Sequence, residues 1–93
     1  MNELTDTVTL KDVNTDINNV TQRVLQCAYL STTTTDPFNG KFQFSGRSML
    51  NDEVVLVTIL VDKSTGVAKC TINSENTVLN AMLLKALKTA IVG

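Results

Sequence analysis

The sequence predicts an α+β domain, an antiparallel sheet of three to five strands with two helices packed on one face. Three observations predict it. Strand-like runs succeed one another from Lys41 to Ile72 with hairpin-length connections, which implies antiparallel pairing. Helical apolar periods bracket those runs, over 11–30 before them and 73–92 after them. The 93 residues, 43% hydrophobic and 18% charged, fit one domain spanning 1–93. A chain of this size buries roughly 60–65% of its unfolded surface, for a stability of about 5–10 kcal/mol.

Residues 1–10 are polar and end in an alternation of Thr7, Val8, Thr9 and Leu10, which reads as a flexible lead-in or a short edge strand. The first helix is expected over 11–30. Val13, Ile17, Val20, Val24, Cys27 and Ala28 recur at spacings of three and four, and Asp12 or Asn14 is the expected N-cap. Residues 31–39 read as a loop, with a threonine run and the turn signals Asp36-Pro37 and Asn39-Gly40, although β-branched residues favour extension of part of it.

The strand over 41–49 places Phe42, Phe44 and Gly46 on one face, with Gly46 marking a bulge or a close backbone approach. Leu50-Asn51-Asp52 supplies a turn. The strand over 53–61 places Val55, Val57, Ile59 and Val61 on one face and Val54, Leu56 and Leu60 on the other. Apolar residues on both sides predict a central strand, or an outer face that something else covers. Gly66 closes the next turn, where a positive φ is useful, and Ala68, Cys70 and Ile72 return on one face while Lys69 and Thr71 face water. The last helix is expected over 73–92, capped by Asn73 or Ser74, with Glu75 near its positive end and Gly93 after its last turn. Val78, Leu79, Met82, Leu83, Ala86, Leu87, Ala90 and Ile91 cover about half its circumference, with Lys85 and Lys88 on the remainder.

Composition excludes several functions. Eight basic against nine acidic residues leave a net charge of −1 and no basic stripe, so phosphate neutralisation on nucleic acid has little to work with. A polybasic membrane patch is missing for the same reason. The first ten residues lack the pattern of a signal peptide, and the longest apolar run is too short to span a bilayer. The absence of histidine removes the commonest general base and metal ligand, and no GxxxxGK[ST] or GxGxxG motif occurs. Cys27 and Cys70 read as small buried hydrophobes in a reducing compartment. Asp52-Glu53 reads as a charged turn. No catalytic, cofactor-binding or metal-binding residue is therefore assigned, and no cofactor is expected.

Six residues stand out as partner-binding candidates. Arg47 ends a strand beside Gly46 and suits an acidic or backbone-rich ligand. Tyr29 is the only tyrosine and ends the first helical run. Leu84, Lys85, Lys88 and Ile91 lie on the flank of the last helix, as core or as an apolar rim with two cations.

Four segments together carry a resemblance. Phe44, Gly46 and Arg47 form an F-x-G-R strand, and Val55, Leu56, Val57 and Thr58 a V-L-V-T strand. Ile72, Asn73, Glu75, Thr77 and Val78 form an I-N-x-E-x-T-V helix start, and Leu84, Leu87 and Lys88 an L-x-x-L-K helix. In this order the chain from Lys41 onward resembles the C-terminal appendage, or ear, of beta subunits of vesicle-coat adaptor complexes, and the third adaptor complex most of all. The resemblance implies a platform subdomain like that of TATA-binding protein, without its DNA function. It implies no catalysis and binding of accessory or coat proteins through short peptide motifs, with other adaptor subunits as further partners in the full-length protein. It implies a cytoplasmic coat, peripheral to endosomal and Golgi membranes, that sorts cargo from endosome or trans-Golgi toward lysosome-like organelles. The chain has no tryptophan, so the tryptophan-based peptide site of plasma-membrane beta ears does not carry over. Without a sandwich half or a trunk, it is expected to be an excised fragment. Two rivals remain: an assembly element that docks on a missing half, and a small enzyme or ligand carrier built around Arg47 and the acidic pair.

Overall fold

The structure is a computed structural model that describes residues 2–28, 30–35, 40–49 and 52–92. Five strands and two helices follow in the order β1 (Asn2–Thr9), α1 (Ile17–Cys27), β2 (Leu30–Thr35), β3 (Lys41–Ser48), β4 (Val54–Asp62), β5 (Val67–Ser74) and α2 (Thr77–Val92). The strands form one antiparallel sheet in the order β1-β5-β4-β3-β2. The expected α+β class is therefore the observed one, at the upper end of the expected strand number.

Register decides where the core sits. Phe44 pairs with Val57 and Val57 with Ile72, while Gly46 pairs with Val55 and Ile59 with Cys70. A strand's side chains alternate, so all of these point to one face. Ala68, Cys70, Ile72, Val55 and Ile59 have no exposed surface there. Ile17 and Leu25 of α1 and Leu83, Leu84, Leu87 and Ile91 of α2 join them in a single cluster. Both helices thus cover the same face, as a two-layer domain requires.

Four boundaries differ from the sequence expectation. The first helix starts at Ile17 rather than at Lys11, because Asp12 folds the preceding residues into a turn. Its Oδ1 accepts from the Asn14 N–H at 2.9 Å and its carbonyl accepts from the Thr15 hydroxyl at 2.6 Å. Asp16 is the N-cap and accepts from the Asn19 N–H at 3.0 Å. Val13 lies before the helix and is exposed, and Cys27 is exposed as well, so the buried face is Ile17, Thr21 and Leu25 instead.

The expected loop over 31–39 begins as a strand, because Leu30 to Thr35 pair residue by residue with Ser48 to Gln43. Threonine suits a pleated edge even where it offers no helical period. The last helix starts at Thr77 rather than Asn73, because β5 continues through Ser74. Asn76 takes the cap and accepts from the Leu79 N–H at 3.0 Å. Gly46 sits in regular pairing with no bulge, and an added Cβ there would meet Leu30 and Ser31 atoms at an ordinary 3.5 Å. Gly66 does adopt a φ of +74°, and its carbonyl accepts from the Leu10 N–H at 2.7 Å. Of the two readings of the first ten residues, the short edge strand is the observed one, β1 running from Asn2 to Thr9 at the edge of the sheet. The turn signals at 36–39, Leu50 and Asn51, and Gly93 lie outside the described residues.

One polar knot ties three elements together. Asn80, buried in the first turns of α2, accepts from the Ser74 hydroxyl at 2.5 Å and donates to the Asn2 carbonyl at 3.0 Å. Ser74 Oγ also accepts from the Asn76 N–H at 3.1 Å. The knot fixes the β5–α2 corner against the start of β1. A second link lies farther along α2, where Lys88 donates to the Asp6 carboxylate. That hydrogen bond, the Thr7 N–H and the charge of Lys88 together hold Asp6 below the usual carboxylate range. In contrast, the hydroxyl of Thr21 is buried without a hydrogen-bond partner.

Four outcomes are expected. Asn80→Ala removes the 2.5 Å acceptor of the buried Ser74 hydroxyl, leaving it the 3.3 Å Asn76 carbonyl, and removes the donor to the Asn2 carbonyl, and should cost about 2–3 kcal/mol in urea unfolding. Thr21→Val removes an unpartnered hydroxyl at constant shape and should leave stability unchanged or raise it by about 1 kcal/mol. Burial pushes the Cys70 thiol up to about 11, so an alkylating reagent at pH 8 should label Cys27 in the native protein and label Cys70 only after denaturation. Because the folded-state pKa of Asp6 is lowered, its coupling to Lys88 is full above about pH 4 and lost as pH falls through the folded value. A double-mutant cycle of Asp6→Asn and Lys88→Met should therefore show coupling at pH 6 that vanishes in acid.

Candidate functional site

The helices leave the opposite face of the sheet uncovered. On it β4 presents Val54, Leu56, Thr58 and Leu60 along the middle of the sheet. Val54, Leu56 and Leu60 are 36%, 41% and 42% exposed. Such exposure is unusual for aliphatic residues on an inner strand and marks a surface suited to contact. Thr58 is flanked by Gln43 and Thr71, and the hydroxyl of Thr71 lies 3.1 Å from that of Thr5 on β1.

Arg47 stands at one end of this face, between Ser31 of β2 and Val54 of β4. Its guanidinium is 3.1 Å from the Asp52 carboxylate. Asp52 closes the β3–β4 hairpin with a φ of +63°, and the Ser48 N–H donates to the Glu53 carbonyl at 2.8 Å. The pair is exposed on both sides and contributes little to stability. Ser31, Ser45, Gly46, Arg47 and Val54 line a shallow depression there, too open to enclose a small molecule.

The other candidates lie in the helical layer and do not join Arg47. Lys85 is exposed on the outside of α2, whereas Lys88 is engaged by Asp6. Leu84 and Ile91 are buried, at 6% and 2% exposure, so their side chains belong to the core rather than to an apolar rim. The wheel placed the apolar sector of α2 slightly off the buried one. Val78 and Met82, expected inside, are 69% and 63% exposed, and they form a second apolar strip beside Lys85 and Ala86. Tyr29 lies outside the described residues.

No group of three or more Cys, Asp or Glu side chains that could hold a metal ion occurs among the described residues. Asp62, the acid nearest the open face's aliphatic row, is turned to its own loop, where the Ser64 hydroxyl and N–H lower its pKa. The geometry offers an open, mixed surface of threonine, aliphatic and basic side chains, with Glu3 and Asp62 on the same face. The sequence signal for it was the double-sided apolar run of β4; Lys41 and Lys69, which complete it, carried no signal alone.

Comparisons with known proteins identify the family. The family described as the C-terminal domain of AP-3 complex subunit beta-1 matches residues 1–91. AP-3 complex subunit beta-2 of Mus musculus is 34% identical over 85 residues, which cover 91% of this chain and 8% of that protein. No solved structure matches. The match extends the resemblance seen from Lys41 onward back through α1 and β1, and the chain belongs to the family of C-terminal domains of AP-3 beta subunits.

Proposed function

We propose that this domain is a protein-interaction module of an adaptor-complex beta subunit. It recruits accessory proteins during vesicle-mediated transport, in a coat peripheral to endosomal and Golgi membranes that sorts toward lysosome-like organelles. The observation that carries this reading is an inner strand with three exposed aliphatic residues on an uncovered sheet face, in a chain of this family. The module holds its ligand and transforms nothing. In support, the chain contains no histidine, and one of its two thiols is buried and protonated. Among the described residues no helix is long and apolar enough to cross a membrane, and on this reading membrane contact runs through other parts of the coat.

A shallow surface of this kind supports binding in the micromolar range, about −8 kcal/mol. The chain spans 8% of the length of its relative, which favours a second reading in which the open face packs against another part of a longer subunit.

Two measurements separate the readings. Titration of peptides from endosomal accessory proteins into the labelled chain should shift a contiguous set of surface residues and saturate in the micromolar range. Size-exclusion chromatography should show a concentration-independent monomer. Self-association together with no response to any peptide would favour the assembly reading and overturn the module.

A further inference from the structure

The open face is organised in cross-strand rows, and one row is unlike the others. Leu60 of β4 is flanked by Lys41 of β3 on one side and Lys69 of β5 on the other. Leu56, four residues earlier, is flanked by Ser45 and Asn73. Neither lysine forms an ion pair among the described residues, whereas Arg47 and Lys88 each do. Two acids share this face, and neither forms an ion pair with Lys41 or Lys69 among the described residues. Asp62, an anion whose Oδ1 accepts from Ser64, lies one row beyond Leu60 opposite Val67, and Glu3 lies opposite Asn73, in the Leu56 row.

We propose that this row is the recognition site for an acidic segment of a partner protein, with apolar side chains seated on Leu56 and Leu60 and carboxylates over Lys41 and Lys69. The proposal rests on the interaction-module reading and names its face and its ligand chemistry. Two aliphatic residues four apart on a strand are separated by about 13 Å, so an extended ligand places its apolar anchors about four residues apart. Lys41 and Lys69, two strand spacings apart, bracket one anchor at about 10 Å. A carboxylate on either side of that anchor finds an ammonium with no ion-pair partner among the described residues. A lipid surface needs about four or more clustered cations, and this row has two, with Glu3 on the same face.

The test uses the whole chain, isotope-labelled, and follows its amide resonances. The probe is a synthetic peptide with two leucines about four residues apart and aspartates flanking one of them. Controls are the same peptide with lysine in place of each aspartate, and phosphatidylserine vesicles. The acidic peptide should shift amides of β3, β4 and β5 centred on Leu60, and its affinity should fall as salt rises. K41E/K69E should weaken binding about tenfold or more, and K41Q/K69Q by a smaller factor, with spectra that retain native dispersion.

Equal binding of the lysine peptide, or unchanged affinity in both double variants, would overturn the site. Shifts confined to Val78, Met82 and their neighbours on α2 would overturn it too, while leaving the interaction-module reading in place. Vesicle binding that exceeds peptide binding would replace the protein partner by a membrane. No shift from any probe would overturn the site, and the accessory-protein titration then decides the module separately.

Discussion

The pleat of β4 is the constraint on which the molecule depends. Its nine residues alternate between a face packed by two helices and a face packed by none. Val55, Val57 and Ile59 are fully withdrawn from water, and their neighbours Val54, Leu56 and Leu60 are held in it by the same alternation. A one-residue slip would exchange the two sets, so burial of the first set fixes exposure of the second. The surface we assign to function is thus a by-product of the register that makes the core.

That register is locked from its edges. The β5–α2 corner is pinned by Asn80 between Ser74 and the carbonyl of Asn2, and the middle of α2 is tied to β1 by Lys88 and Asp6. A buried amide with both its oxygen and its nitrogen engaged admits few alternatives, because displacement leaves polar groups unpaired in the core. The helices are therefore held on one side, and the sheet keeps a flat, uncovered side. Binding proteins commonly keep such a side for partners and place little chemistry on it. The separation here is consistent with that pattern, since the only buried thiol faces the helices and stays protonated.

Much of the fold was legible in the sequence where one period dominated. Alternation over β3 and β5 revealed both the strands and the residues facing the helices, because apolar and polar residues exchange there, whereas β4 was legible from its run of β-branched and aliphatic residues. Boundaries were less legible because single side chains set them. Asp12 could open a helix or fold a turn, and its contact with Asn14 decided for the turn. The threonines of β2 showed no period of their own, and only pairing with β3 made them a strand. The candidate site was legible in part. The two-sided apolar character of β4 pointed to a central strand or to an outer face that something else covers, but Lys41 and Lys69 come together only across three strands. Arg47 was visible as an end-of-strand cation, and its Asp52 partner was not. Leu84 and Ile91 were read as core or as an apolar rim, and only their burial decides for the core, because the wheel shows which side chains share a face and not which face the sheet takes.

The most direct test places a photoreactive amino acid at position 56 or, in parallel, at position 78 of the domain within a full-length adaptor beta subunit in cells. The account predicts specific crosslinked partner proteins from position 56, at the centre of the uncovered sheet, and few from position 78 on the helical side. Crosslinks from position 78 alone, with position 56 silent, would contradict it.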